Sequence, residues 1–80
     1  MSTSDEIIVD ARRLLCPLPV IRTQDAVAKL PPEQLLKVIC TDPGALQDIP
    51  AWARIHGHSV VHTETVEREY HITLRTAAKA

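Results

Sequence analysis

Apolar and polar positions along the chain follow two rhythms. Ile7, Ile8 and Val9 form a short β-branched run that ends at Asp10 and reads as a first strand. Leu35 to Cys40 alternates with period two, placing Leu36, Val38 and Cys40 on one face and Leu35, Lys37 and Ile39 on the other. Neither face is cleanly polar, so this strand belongs inside a sheet. Between the two, the spacing predicts a helix from Pro17 or Pro19 to Lys29. Val20, Ile21, Gln24, Val27, Ala28 and Leu30 lie along one side of it, and Arg22, Asp25 and Lys29 point outward or to its edges. Prolines suit the first turn of a helix, whose early N–H groups have no intrahelical acceptor, and Pro31-Pro32 stops this one.

In the second half, Leu46, Ile49, Trp52, Ala53 and Ile55 recur at helical spacing after the turn-like Thr41-Asp42-Pro43-Gly44. Pro50 favours a helix that starts near Asp48, with the Asp48 side chain as cap; a longer helix from near Gly44, kinked at Pro50, is the alternative. Gly57 supplies a left-handed C-cap. Ser59 to Val66 and Glu69 to Arg75 are β-rich runs joined at Glu67-Arg68, hence an antiparallel hairpin. Its register stays open between Val60 with His62 and Val61 with Thr63 as the core-facing pair. The order is βαβαββ: an α/β two-layer sandwich, a mixed four-stranded sheet carrying both helices on one face, as right-handed crossovers require.

The 80 residues make one small domain, 1–80, with an ordered core of approximately 7–75. Residues 1–6, polar and expected to fray, and 76–80, which lack a periodic pattern, fall outside it. Trp52 and Tyr70 are the aromatic residues and Phe is absent, so Val, Leu, Ile and Ala must supply the burial. A formal charge of −1, from nine Lys or Arg against ten Asp or Glu, argues against a partner recognised through its phosphates. Direct nucleic-acid binding is not expected. No apolar stretch approaches the ~20 residues of a membrane helix and no leader opens the chain, so the expected location is the cytoplasm.

Two cysteines cannot build a disulfide framework, and their surroundings differ. Cys16 immediately precedes a proline-initiated helix, where backbone N–H groups and the positive end of the helix dipole favour a thiolate. Arg12 and Arg13 precede it closely and would add counter-charge to a thiolate or persulfide. Pro17 and Pro19 would stiffen the approach and keep the side chain presented. The competing reading is a small buried hydrophobe, a common fate of free cysteine. Cys40, at the end of an apolar strand with no adjacent base, reads as core.

The remaining polar residues suggest structure more than chemistry. His56 and His58 flank Gly57 and His62 follows, but the spacing does not close a four-ligand zinc site, and His56 reads as a partner for the last helical carbonyls. Asp10 orients the loop before Cys16, and Asp42 and Asp48 read as turn or cap anchors around the second helix. The two isolated glycines form no phosphate cradle, so no cofactor is expected, and no metal.

The run Asp10-Ala11-Arg12-Arg13-Leu14-Leu15-Cys16-Pro17-Leu18-Pro19 resembles the signature of the TusA family, also called SirA- or YhhP-like, of small sulfur carrier proteins. Thr41-Asp42-Pro43-Gly44, Asp48-Ile49-Pro50 and Gly57-His58 resemble its second block, and the similarity spans approximately Ile7 to Arg75. The resemblance implies that Cys16 accepts sulfane sulfur as a persulfide, with Pro17 and Pro19 shaping the site and Asp10, Arg12 and Arg22 contributing to its surroundings or docking surface. It implies donors such as a cysteine desulfurase or a rhodanese-like protein, and acceptors that are DsrE-like or TusD-like. The pathways served by the family are tRNA thiolation, molybdenum-cofactor supply and sulfur oxidation. Where the family commonly has Gly, this chain has Arg13, an added charge that would tune docking. The competing function is a non-catalytic interaction or regulatory module on the same fold.

Overall fold

The computed structural model describes residues 6–78. Its elements are β1 (Ile7–Ala11), α1 (Leu18–Val27), β2 (Leu35–Cys40), α2 (Ala45–Ile55), β3 (Ser59–Val66) and β4 (Glu69–Arg75), in the expected βαβαββ order. The sheet runs β1-β2-β4-β3, with β1 parallel to β2 and both other pairings antiparallel. β2 is therefore interior, as its two-sided apolarity required. Its Leu36, Val38 and Cys40 are fully buried and line up with Val9 and Ala11 of β1 and Ile72 and Leu74 of β4. Ala45, Ile49 and Ala53 of α2 complete this aliphatic core, and Val20, Val27 and Leu30 from α1 and the turn after it pack against its edge. Each side chain removed from water contributes roughly 25 cal/mol per Å² of apolar area.

The helices differ from expectation in phase and start. In α1 the buried positions are Pro19 and Thr23, while Ile21 is 46% exposed and Gln24 and Ala28 face solvent. Apolar residues occur all round this short helix, and its inward stripe is set by what it packs on. Thr23 becomes compatible with burial by donating its hydroxyl to the Pro19 carbonyl at 2.8 Å. α2 begins at Ala45 with Gly44 as N-cap, where the longer alternative placed its start, and not at Asp48. The amides of Ala45, Leu46 and Gln47 donate to the carbonyls of Asp42, Pro43 and Gly44, so the preceding turn already meets the needs of the first helical N–H groups. Pro50 consequently lies inside the helix, and Asp48 is released from capping. Ile55 sits in the last turn and is 78% exposed.

Gly57 ends α2 as expected. It has a φ of +81°, its N–H donates to the Arg54 carbonyl, and the His58 N–H donates to that of Ala53, a Schellman closure. His56 does not turn back on the carbonyls; its ring packs on Trp52, as does that of His58. The hairpin register combines parts of both alternatives. A bulge at Val61 leaves Val60 opposite Leu74 and Thr63 opposite Ile72, so the two share a face, on which Val60 packs against the core and Thr63 is exposed. Order extends beyond Arg75: Thr76 is 5% exposed and its hydroxyl bridges the Gln34 N–H and the Pro31 carbonyl. Glu6 likewise reaches Lys37, at 3.7 Å. Of the end segments placed outside the core, residues 1–5 and 79–80 lie outside the described residues.

Candidate functional site

The parallel pairing of β1 and β2 places Ala11 beside Cys40, so the segments that follow the two strands leave the sheet side by side. Arg12 and Arg13 thereby meet Thr41 and Asp42. The Arg13 N–H donates to Thr41 Oγ1 at 2.9 Å, and the Cys16 N–H donates to Asp42 Oδ2 at 2.9 Å. These two bonds stitch the loop before α1 to the entry of α2. Arg13 reaches this position with a φ of +66°, in the left-handed region where glycine carries no steric penalty.

At the tip of this loop Cys16 is exposed. Exposed Leu15 and Leu18 flank it in sequence, at 71% and 48%. Pro17 is the N-cap of α1, following a cis Cys16–Pro17 peptide bond. The start of this helix offers the sulfur little. Pro17 and Pro19 carry no N–H, and the Leu18 and Val20 amides donate to the Leu15 and Pro17 carbonyls. The Cys16 thiol instead donates to Oδ2 of Asp48, in the first turn of α2.

This arrangement corrects the expected thiolate. The hydrogen bond to Asp48 holds the proton on sulfur, partial desolvation works in the same direction, and the negative charges of Asp48 and Asp42 add to both. Together they push the Cys16 pKa up. Of the two arginines expected to lower it, Arg12 is engaged elsewhere. It forms a two-pronged pair with Asp10, Nε to Oδ1 and Nη2 to Oδ2 at 3.0 Å each, and its Nη1 lies 3.6 Å from Glu69. Its backbone N–H also donates to Asp10 Oδ1. These contacts hold the Asp10 carboxyl at about 2 and raise the Arg12 pKa further. Arg22 donates to the Asp10 carbonyl at 3.1 Å and ties α1 to the end of β1.

Asp10, Arg12 and Arg22 thus form one cluster that braces the loop, and with Arg13, Thr41 and Glu69, Asp10 and Arg12 line an open depression. Pro19, in the first turn of α1, is buried and presents no docking surface. Cys40 is fully buried; burial first, and the charge of Asp42 second, push its thiol to about 11. Thr41, Asp42, Asp48 and Glu69 were not expected at the site. The signal for three of them was the Thr-Asp-Pro-Gly and Asp-Ile-Pro blocks, read locally as turn and cap. Among the described residues, no group of three or more His, Cys, Asp or Glu is placed to hold a metal ion. No helix among the described residues is long and apolar enough to cross a membrane.

The family model described as Sulfurtransferase TusA matches residues 7–76. The chain is 39% identical over 69 residues to the sulfur carrier protein TusA of Pseudomonas syringae pv. tomato, covering 86% of this chain and 82% of that protein. It is 38% identical over 78 residues to the sulfur carrier protein TusA of Pseudomonas aeruginosa, covering 98% and 99%. Among solved structures, the crystal structure of a SirA-like protein from Desulfitobacterium hafniense superposes with a TM-score of 0.78 at 25% identity, over 89% of this chain and 97% of that one. With a signature loop that presents one exposed cysteine, the βαβαββ sheet beneath it and these likenesses along nearly its whole length, the chain belongs to the TusA family, the SirA-like sulfur carriers.

Proposed function

We propose that this protein carries sulfane sulfur as a persulfide on Cys16 and hands it to an acceptor protein. The observation that carries the reading is the contrast between its two thiols. Cys16 stands exposed at the tip of a braced loop, whereas Cys40 has no exposed surface. Sulfur transfer is thiol exchange: the Cys16 sulfur attacks the outer sulfur of a donor persulfide, the donor's S–S bond breaks, and its inner sulfur leaves as thiolate. The second transfer repeats the step with the acceptor's thiol as attacker. A partner that brings the two sulfurs together supplies the selectivity, so the carrier needs no deep pocket and its sulfurtransferase activity depends on partners.

The family points to a cysteine desulfurase or rhodanese-like donor and a DsrE-like or TusD-like acceptor, in the cytoplasm. It serves tRNA thiolation, molybdenum-cofactor supply or sulfur oxidation, and the protein would act in one of these as a single domain. Asp10, Arg12, Arg13, Arg22 and Pro17 would form the surroundings a partner meets. After incubation with a persulfide donor, mass spectrometry should find one added sulfur, roughly 32 Da, on the Cys16 peptide. A C16S variant should fold and remain unloaded. A wild-type Cys16 that stays unmodified would overturn the proposal, and unchanged cellular function in C16S would favour the interaction module.

A further inference from the structure

We infer that Asp48 is a catalytic residue of the sulfur transfer, its carboxylate taking the Sγ proton as Cys16 attacks the donor. The inference rests on Cys16 as the sulfur-carrying thiol and adds the group that handles its proton. Three observations support it. The carboxylate is not spent on capping α2, because the turn at Asp42-Pro43-Gly44 already provides acceptors for the first helical amides. It accepts the Cys16 thiol hydrogen directly, while the Cys16 N–H, anchored on Asp42, holds the sulfur in place. Of the two arginines that precede Cys16, Arg12 is held by Asp10 and Glu69 and is not free to stabilise a thiolate.

The resting sulfur is therefore a neutral thiol, and attack requires a proton acceptor. Asp48 stands in the first turn of α2, where the helix dipole favours a negative charge. In the step itself, Sγ forms a bond to the outer sulfur of the donor R–S–SH and the donor's S–S bond breaks. The electron pair leaves on R–S⁻, and the Sγ proton passes to Asp48 Oδ2. One negative charge stands on each side, on the carboxylate before and on the leaving thiolate after. The transferred sulfur keeps its oxidation state, so no oxidant or reductant is needed.

The test is the pH profile of single-turnover loading by glutathione persulfide, followed as the mass gain on intact protein for wild type, D48N and D48E. A thiol deprotonated by a neighbouring carboxylate reacts at a rate nearly independent of pH between the two pKa values. A thiol that reacts only as free thiolate slows about tenfold per pH unit below its own pKa. Between pH 7.5 and 5.5 the ratio of wild-type to D48N rate should therefore rise about tenfold per unit, and D48E should restore the flat limb. The ratio cancels titration of the donor. A ratio constant with pH overturns the role of Asp48. So does a wild-type rate that, divided by the fraction of donor present as R–S–SH, itself falls tenfold per unit, an outcome readable even if D48N does not fold. Wild type that takes no sulfur on Cys16 at any pH overturns the carrier reading instead.

Discussion

Alkaline pH should destabilise the fold through Cys40, by an amount that follows from its burial. The side chain has no exposed surface, and its thiol is pushed from 9.0 to about 11. Between these values the unfolded chain has lost the thiol proton and the folded chain has kept it. The unfolded state then binds fewer protons, so stability falls as pH rises; the contribution is intact below pH 9 and fades toward 11. At one unit above the ordinary value, linkage gives a loss of about 1.4 kcal/mol, against about 0.1 kcal/mol at pH 8. The assay compares urea unfolding of C16S with that of C16S/C40A at pH 8 and pH 10. C16S removes the second thiol, and the lysines and Tyr70 titrate equally in both proteins. Replacing Cys40 by Ala costs a fixed amount for lost packing, so the reading is the difference in pH slope. With an m-value of roughly 1 kcal/mol per molar urea, the C16S midpoint should drop about 1 M more than that of C16S/C40A. Equal drops would refute the argument, because they would mean that Cys40 ionises in the folded state as easily as in the unfolded chain.

Thr76 offers a second test, since its hydroxyl accepts the Gln34 N–H at 2.7 Å and donates to the Pro31 carbonyl at 2.8 Å. T76V strands both backbone groups and should cost about 2–3 kcal/mol, seen as a melting temperature lowered by roughly 10 °C or more; T76S should cost under about 1 kcal/mol. Equal melting of the two would mean that water replaces the hydroxyl. The β3–β4 turn places Glu67 and Arg68 at φ +49° and +72°, the signs a type I′ turn requires. E67N/R68G should raise stability by about 1 kcal/mol in the same thermal assay, and an unchanged or lower melting temperature would contradict stored backbone strain at the turn.

Much of the fold was legible because its signals are local. Period-two alternation marked β2 and predicted its interior place; helical spacing found both helices; Gly57 announced the end of α2; Cys40, in phase with Leu36 and Val38, belonged to the core. A strand's face and a helix's spacing depend on neighbours within a few residues, so they can be read without the rest of the chain. The phase of α1 could not, because apolar residues surround it and the sheet chose Pro19 and Thr23. Nor could the Val61 bulge, which answers to strand pairing.

The site divides in the same way. Cys16 was legible from the loop signature and its place before a proline-initiated helix. Its protonation state was not, and nearness in sequence pointed to the wrong charges. Arg12 and Arg13 lie within four residues of Cys16, yet the groups that govern its thiol are Asp42 and Asp48, 26 and 32 residues away. Electrostatic influence falls with distance through space, and that distance was decided by the parallel β1–β2 pairing and by where α2 began. The sequence by itself determined which elements form and which cysteine is presented. The tertiary structure decided that Asp48, spared from capping, faces the sulfur, and that Arg12, paired with Asp10 and Glu69, does not.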